Sequence, residues 1–199
     1  KSNQSYEKIK GGVLGGSIIL GSLSLDSEIE IRPGRVVKNK NGLLCKPLIT
    51  KVMSIKSEKI SIEKAFPGCL IGIGTLIDPY CCKGDELVGN VFGLKGNMPN
   101  VYYPDITINF KICKELGYDW KISKNDKVNF QIGTLTIRNC NLKNKIKNKK
   151  NNKIAVFTLS QPCCFDENNN IIISKKTLDG IKVIIGYGNM TSGDIVNLT

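Results

Sequence analysis

A strict two-residue hydrophobic repeat constrains this chain more than any other feature. Ile106, Ile108, Phe110 and Ile112 alternate with Thr107, Asn109 and Lys111. Successive strand side chains point to opposite faces, so this stretch predicts a strand with one buried and one wet face. Val128, Phe130 and Ile132 repeat the pattern, and the phase then flips to Leu135 and Ile137 across Gly133, which predicts a β-bulge at that glycine. Further strands are predicted over 17–25, 28–32, 46–55, 69–75, 87–93, 154–160, 171–175 and 181–188, while only 112–120 could hold a helical turn. Turn signals separate them at Asp26 and Ser27, Pro33 and Gly34, Asn41 and Gly42, Pro67 and Gly68, Lys83 to Asp85, and Asp179 and Gly180. Many short strands at this spacing predict an all-β barrel or sandwich. Residues 95–104, with two prolines and a glycine, read as a domain boundary, and the Asn- and Lys-rich stretch 139–153 as a solvated loop.

Composition removes several chemistries. Histidine is absent, which excludes a Ser-His-Asp triad, a Cys-His dyad and imidazole bases. None of the eight cysteines forms a C-x-x-C pair, so they read as reduced, small hydrophobes rather than metal ligands. No phosphate loop and no G-x-G-x-x-G after a strand is present, and the acidic residues Asp26, Asp85, Asp126 and Asp166 sit in turns. The chain is therefore expected to be non-catalytic, with no cofactor of its own. No run of 18 apolar residues exists and the first ten residues lack a secretory pattern, so no membrane partner and a cytoplasmic location are expected. The net charge of +12 suggests an anionic partner, but arginine, the residue best shaped for bidentate phosphate contact, occurs only at positions 32, 35 and 138. By charge alone the chain reads as a basic RNA-binding β-protein; a protein-interaction scaffold is the other reading that needs no catalysis.

Two segments go beyond generic sheet. The first runs from Gly11 through Gly12, Val13, Leu14, Gly15 and Gly16 to Gly21, followed by Glu28-Ile29-Glu30-Ile31-Arg32-Pro33-Gly34. The second is Pro67-Gly68-Cys69-Leu70-Ile71-Gly72-Ile73-Gly74-Thr75, continuing through Asp78-Pro79-Tyr80 to Lys83-Gly84-Asp85 and Val88-Gly89-Asn90-Val91. In this order and spacing they resemble the second domain of the gamma subunit of eukaryotic and archaeal translation initiation factor two. Gln161-Pro162-Cys163, Ile173-Ser174-Lys175-Lys176 and Ile184-Ile185-Gly186-Tyr187-Gly188 resemble its third domain. A family glycine is Asp26 here, and a family Arg-Arg pair is Lys175-Lys176.

The resemblance implies two consecutive β-barrels, over 1–96 (with the family's first strand lying before the chain) and 97–199. It also implies a preceding GTP-binding domain that carries GTP and Mg2+ and makes the longer protein a GTPase. The implied partners are initiator methionyl-tRNA, the alpha and beta subunits of the same heterotrimer, and the small ribosomal subunit to which the tRNA is delivered. Lys10, Gly11, Gly12, Gly68, Leu70, Gly72, Gly74 and Thr75 are the candidates for one wall of the site for the tRNA 3′ end. Glycine permits close backbone approach there, exposed N–H groups can meet 2′-hydroxyl and phosphate oxygens, and a flat apolar surface can stack on a base.

Overall fold

A computed structural model describes residues 11–40, 42–68, 70–113, 121–124, 126–149, 152–166, 169–177 and 179–198. Among them fifteen strands follow one another: β1 (Val13–Ser17), β2 (Leu23–Ser24), β3 (Glu28–Asn39), β4 (Gly42–Ser57), β5 (Ile60–Ile62), β6 (Lys64–Ala65), β7 (Leu70–Thr75), β8 (Val91–Leu94), β9 (Val101–Ile112), β10 (Lys127–Ile132), β11 (Leu135–Lys149), β12 (Asn152–Thr158), β13 (Cys163–Cys164), β14 (Asn170–Lys176) and β15 (Lys182–Ile195). One 3-10 segment, Pro79–Asp85, interrupts them; the Asp78 carboxylate accepts from the Tyr80 amide at its start. The fold is all-β. Among the described residues no helix is long and apolar enough to cross a membrane.

The chain forms two compact units. Among the described residues, the first takes those up to Gly34, Pro47–Val88 and Phe92–Met98; the second takes Arg35–Lys46, Gly89–Val91 and those from Pro99 onward. In the first, strands are ordered β1-β7-β4-β3-β8, with β5 added to β4, and a separate ribbon pairs β2 with β6. Its core gathers Leu14, Ile29, Ile31, Val52, Ile71 and Ile73, the inward residues of alternating strands. In the second, the order β12-β11-β10-β14-β15-β9 closes when β9 pairs back with β12, giving a six-stranded barrel. The predicted alternation holds: Ile106, Ile108, Phe110, Val128, Phe130 and Ile132 all face its core. Phe157 meets the Phe110 and Phe130 rings edge-on, at 5.9 and 5.0 Å between centroids. Each such pair adds about 1 kcal/mol beyond the area it buries.

Several local expectations are corrected. Gly133 is not a bulge: Ile132 pairs with Leu135, so Gly133 and Thr134 make a two-residue hairpin turn, with Gly133 at φ +55°. The phase flip in the sequence was the chain reversing. The bulge of this hairpin falls further on, where Asn129 faces both Arg138 and Asn139; the Asn129 side-chain oxygen accepts from the Asn139 amide. The described part of the stretch read as a solvated loop is paired strand: Asn141–Thr158 through Lys149–Asn152 pair across β11 and β12, and residues 150 and 151 lie outside the described residues. Strand formation needs a backbone partner more than apolar content, and Ala155 and Phe157 of β12 are anchored in the core. Pro33 and Gly34 lie inside β3, and 18–22 lie outside any strand, with Ile19 and Leu20 exposed. Of 87–93, only the part from Val91 onward is strand. Most of the 112–120 turn, and Cys69, lie outside the described residues.

Candidate nucleic-acid interface

The two glycine-rich runs, some sixty residues apart in sequence, are hydrogen-bonded neighbours. β1 and β7 pair antiparallel, with Val13 opposite Gly74, Gly15 opposite Gly72 and Ser17 opposite Leu70. β4 flanks β7 on its other side, with Ser54 opposite Gly74 and Lys56 opposite Gly72. Leu14, Ile55, Ile71 and Ile73 are buried, so their neighbours Gly15, Gly72 and Lys56 share the outer face. That face carries a row of bare backbone ending on an exposed lysine, flanked by Val13 and by Leu70, which is 76% exposed. Lys56 was missed in the sequence because the predicted strand stopped at Ile55; only its register with Gly72 singles it out.

The candidate residues differ in what surrounds them. A Cβ on Gly11 would collide with the main-chain carbonyl of Thr75, one on Gly12 with the Cys82 thiol, and one on Gly74 with the Ser54 hydroxyl. At Gly15 and Gly72 it would meet nothing within 4 Å. Gly68 also has open space, but its φ of +120° is a conformation that L side chains rarely adopt. Thr75 is buried, and its hydroxyl donates to the Gly12 carbonyl (2.8 Å) while accepting from the Ile77 amide (3.3 Å). The Gly12 amide donates to the Ile77 carbonyl at 2.7 Å, and its carbonyl accepts from the Thr75 amide at 3.0 Å, so Gly12 is fixed alongside the end of β7. Leu70 follows the Pro67-Gly68 turn, and before that turn Phe66 is exposed with the Lys64 ammonium 5.3 Å from its ring centre. Lys10 lies outside the described residues.

Four of the cysteines have thiols held toward the protonated form. Burial pushes Cys140 up to about 12 and raises Cys163 and Cys45 as well; Cys82, beside Gly12, is raised by partial burial and by the nearby Cys81 and Asp78. A thiol held protonated is neither nucleophile nor metal ligand. Among the described residues no three cysteine or acidic side chains come together as a metal site would require.

No family model matches the chain. Over 95% of its length it is 32% identical to eukaryotic translation initiation factor 2 subunit gamma of Encephalitozoon cuniculi, and over 97% it is 33% identical to the protein of that name in Schizosaccharomyces pombe. The subunit 3 of the same factor in Drosophila melanogaster is 32% identical over 94% of the chain. This stretch is similar to a portion of the initiation factor 2 gamma subunit. The chain spans 40–44% of the length of these curated relatives, so the likeness speaks for that portion of them. Two departures from the gamma-subunit pattern fit their places. Asp26 takes the left-handed φ of +62° that its turn needs, and Lys175 makes an ion pair with Asp126 at 2.8 Å.

Proposed function

We propose that this chain supplies one wall of the site that holds the aminoacylated 3′ end of initiator tRNA in a translation initiation factor, the GTP being bound and hydrolysed by a preceding domain. The observation that carries the reading is the outward row Gly15–Gly72–Lys56: bare backbone for close approach, a cation in register with it, and Leu70 as an exposed apolar neighbour. A terminal nucleotide asks for these groups, namely a platform for the base, backbone for the sugar hydroxyl and positive charge for the phosphate. In this reading Gly11, Gly12, Gly74 and Thr75 set the curvature and position of that row rather than touch the ligand.

Gly72→Val separates the functional role from a purely structural one, because the space above Gly72 is open and valine suits a strand. In the factor assembled with its GTP-binding domain, the variant is expected to bind methionyl initiator tRNA at least tenfold more weakly with an unchanged melting temperature. Lys56→Gln should lose affinity as well. Undiminished binding by both variants would leave the glycines a sheet-shaping role only.

A second role, docking of the alpha subunit, is favoured by the exposed Ile19 and Leu20 between β1 and β2, 84% and 91% accessible. Adjacent large aliphatic residues left in solvent supply the apolar surface that a docking partner would cover. Replacing both with serine is expected to abolish co-purification with the alpha subunit while leaving the fold intact.

A further inference from the structure

The positive charge of this chain is concentrated. Between Lys127 and Phe165 there are eight basic residues and no acidic one, so the remaining 160 residues hold 21 basic against 17 acidic and account for only +4 of the net +12. Six of the eight (Lys143, Lys145, Lys147, Lys149, Lys150 and Lys153) fall within eleven residues. A loop would disperse that charge. Instead, most of the stretch is hydrogen-bonded hairpin: Lys145 pairs with Ala155, Lys147 with Ile154 and Lys149 with Asn152. The described pairing of β10 with β11 ends at Lys127 and Asn141, and from Leu142 onward β11 is paired to β12. The lysines therefore ride on a strand that continues beyond its β10 partner, with the backbone already ordered.

We infer that the β11–β12 hairpin is an RNA-backbone contact, separate from the Gly72 row and independent of any tRNA 3′ end. The residue types decide the class of partner. From 139 to 153 there is no arginine and no aromatic residue, the types that dominate protein–protein hot spots and that stack on bases or read them. Closely spaced point charges on an ordered scaffold suit phosphates, whose neutralisation releases counterions and needs no fixed geometry. Lys143 is engaged with the Asp105 carboxylate, and the contact is assigned to the lysines whose backbone pairs beyond it along β11, Lys145, Lys147 and Lys149.

The test uses the full chain and a 20-nucleotide oligouridylate, which has neither a CCA end nor an amino acid, with affinity measured across a salt series. Replacing Lys145, Lys147 and Lys149 with glutamine should lower the slope of log affinity against log salt by about 2, since each single-strand phosphate contact contributes about 0.7. A control that neutralises Lys59, Lys124 and Lys176 removes the same charge elsewhere and should leave the slope nearly unchanged. Equal losses in the two variants would show diffuse attraction and overturn the assignment. So would a hairpin variant that self-associates while keeping the full slope, because lysines on a strand edge also guard against edge-to-edge pairing. Displacement of bound oligouridylate by polyglutamate at a lower concentration than by unlabelled oligouridylate, in the same buffer, would assign the hairpin to an acidic protein instead.

Discussion

At Gly11 an added methyl group would run into the Thr75 carbonyl, whereas at Gly72 it would enter open space. Main chain cannot rotate away as a side chain can, so the two positions should answer the same substitution differently. We expect Gly11→Ala to cost about 3 kcal/mol in urea unfolding, the upper end of overpacking effects. Gly72→Ala should leave stability unchanged or raise it by about 0.5 kcal/mol, because glycine inside a strand carries an entropic cost. Similar costs at both positions would mean that the surroundings of β1 and β7 are not as described. The buried Thr75 hydroxyl belongs with Gly11: it ties the segment before β1 to the end of β7 and so holds the outward row in register.

At the scale of elements, one carboxylate ties three strands of the barrel together. Asp105 on β9 accepts from the Thr158 hydroxyl of β12 at 2.6 Å and pairs with the Lys143 ammonium of β11. Burial acts to raise its pKa, but the bonds from Lys143 and Thr158 outweigh it and hold the carboxyl below its ordinary value. A lowered folded pKa means that the unfolded chain takes up protons first as pH falls. The contribution is therefore complete above the unfolded value of about 3.9 and disappears as pH drops through the lower folded one. Asp105→Asn is expected to lower stability by about 1 kcal/mol at pH 7. The stability curves of the two proteins should converge below pH 4, as read by denaturant titration at each pH; parallel curves would remove Asp105 from this role. The element-scale surprises share one cause. Gly133, the 139–153 hairpin and Pro33 with Gly34 were misjudged because period and composition describe a segment alone, whereas turn, bulge and strand are set by the partner across the ladder.

For the whole molecule, the compact units do not follow a single cut in the chain. Arg35–Lys46 belongs with the residues beyond Pro99, and Cys45 is buried against Val101 and Cys164. A fragment starting at residue 97 lacks that contact. We expect amide exchange along β9 to be faster in the fragment than in the full chain by about tenfold, the equivalent of a small buried side chain lost from a core edge. Equal protection would show that the Arg35–Lys46 excursion adds nothing to the second core.

The alternation of Ile106, Ile108 and Phe110 was sufficient for the all-β class, because a period of two can bury one face only in a sheet. The ordered glycine motifs were sufficient for the likeness to initiation factor 2 gamma subunits. Neither could sort one glycine from another. Whether Gly11 is pinned by a carbonyl and Gly72 left open, and whether Lys56 stands beside it, depends on which strands lie side by side and in what register. Those pairings join residues far apart in the chain, so they exist only once the first core has closed.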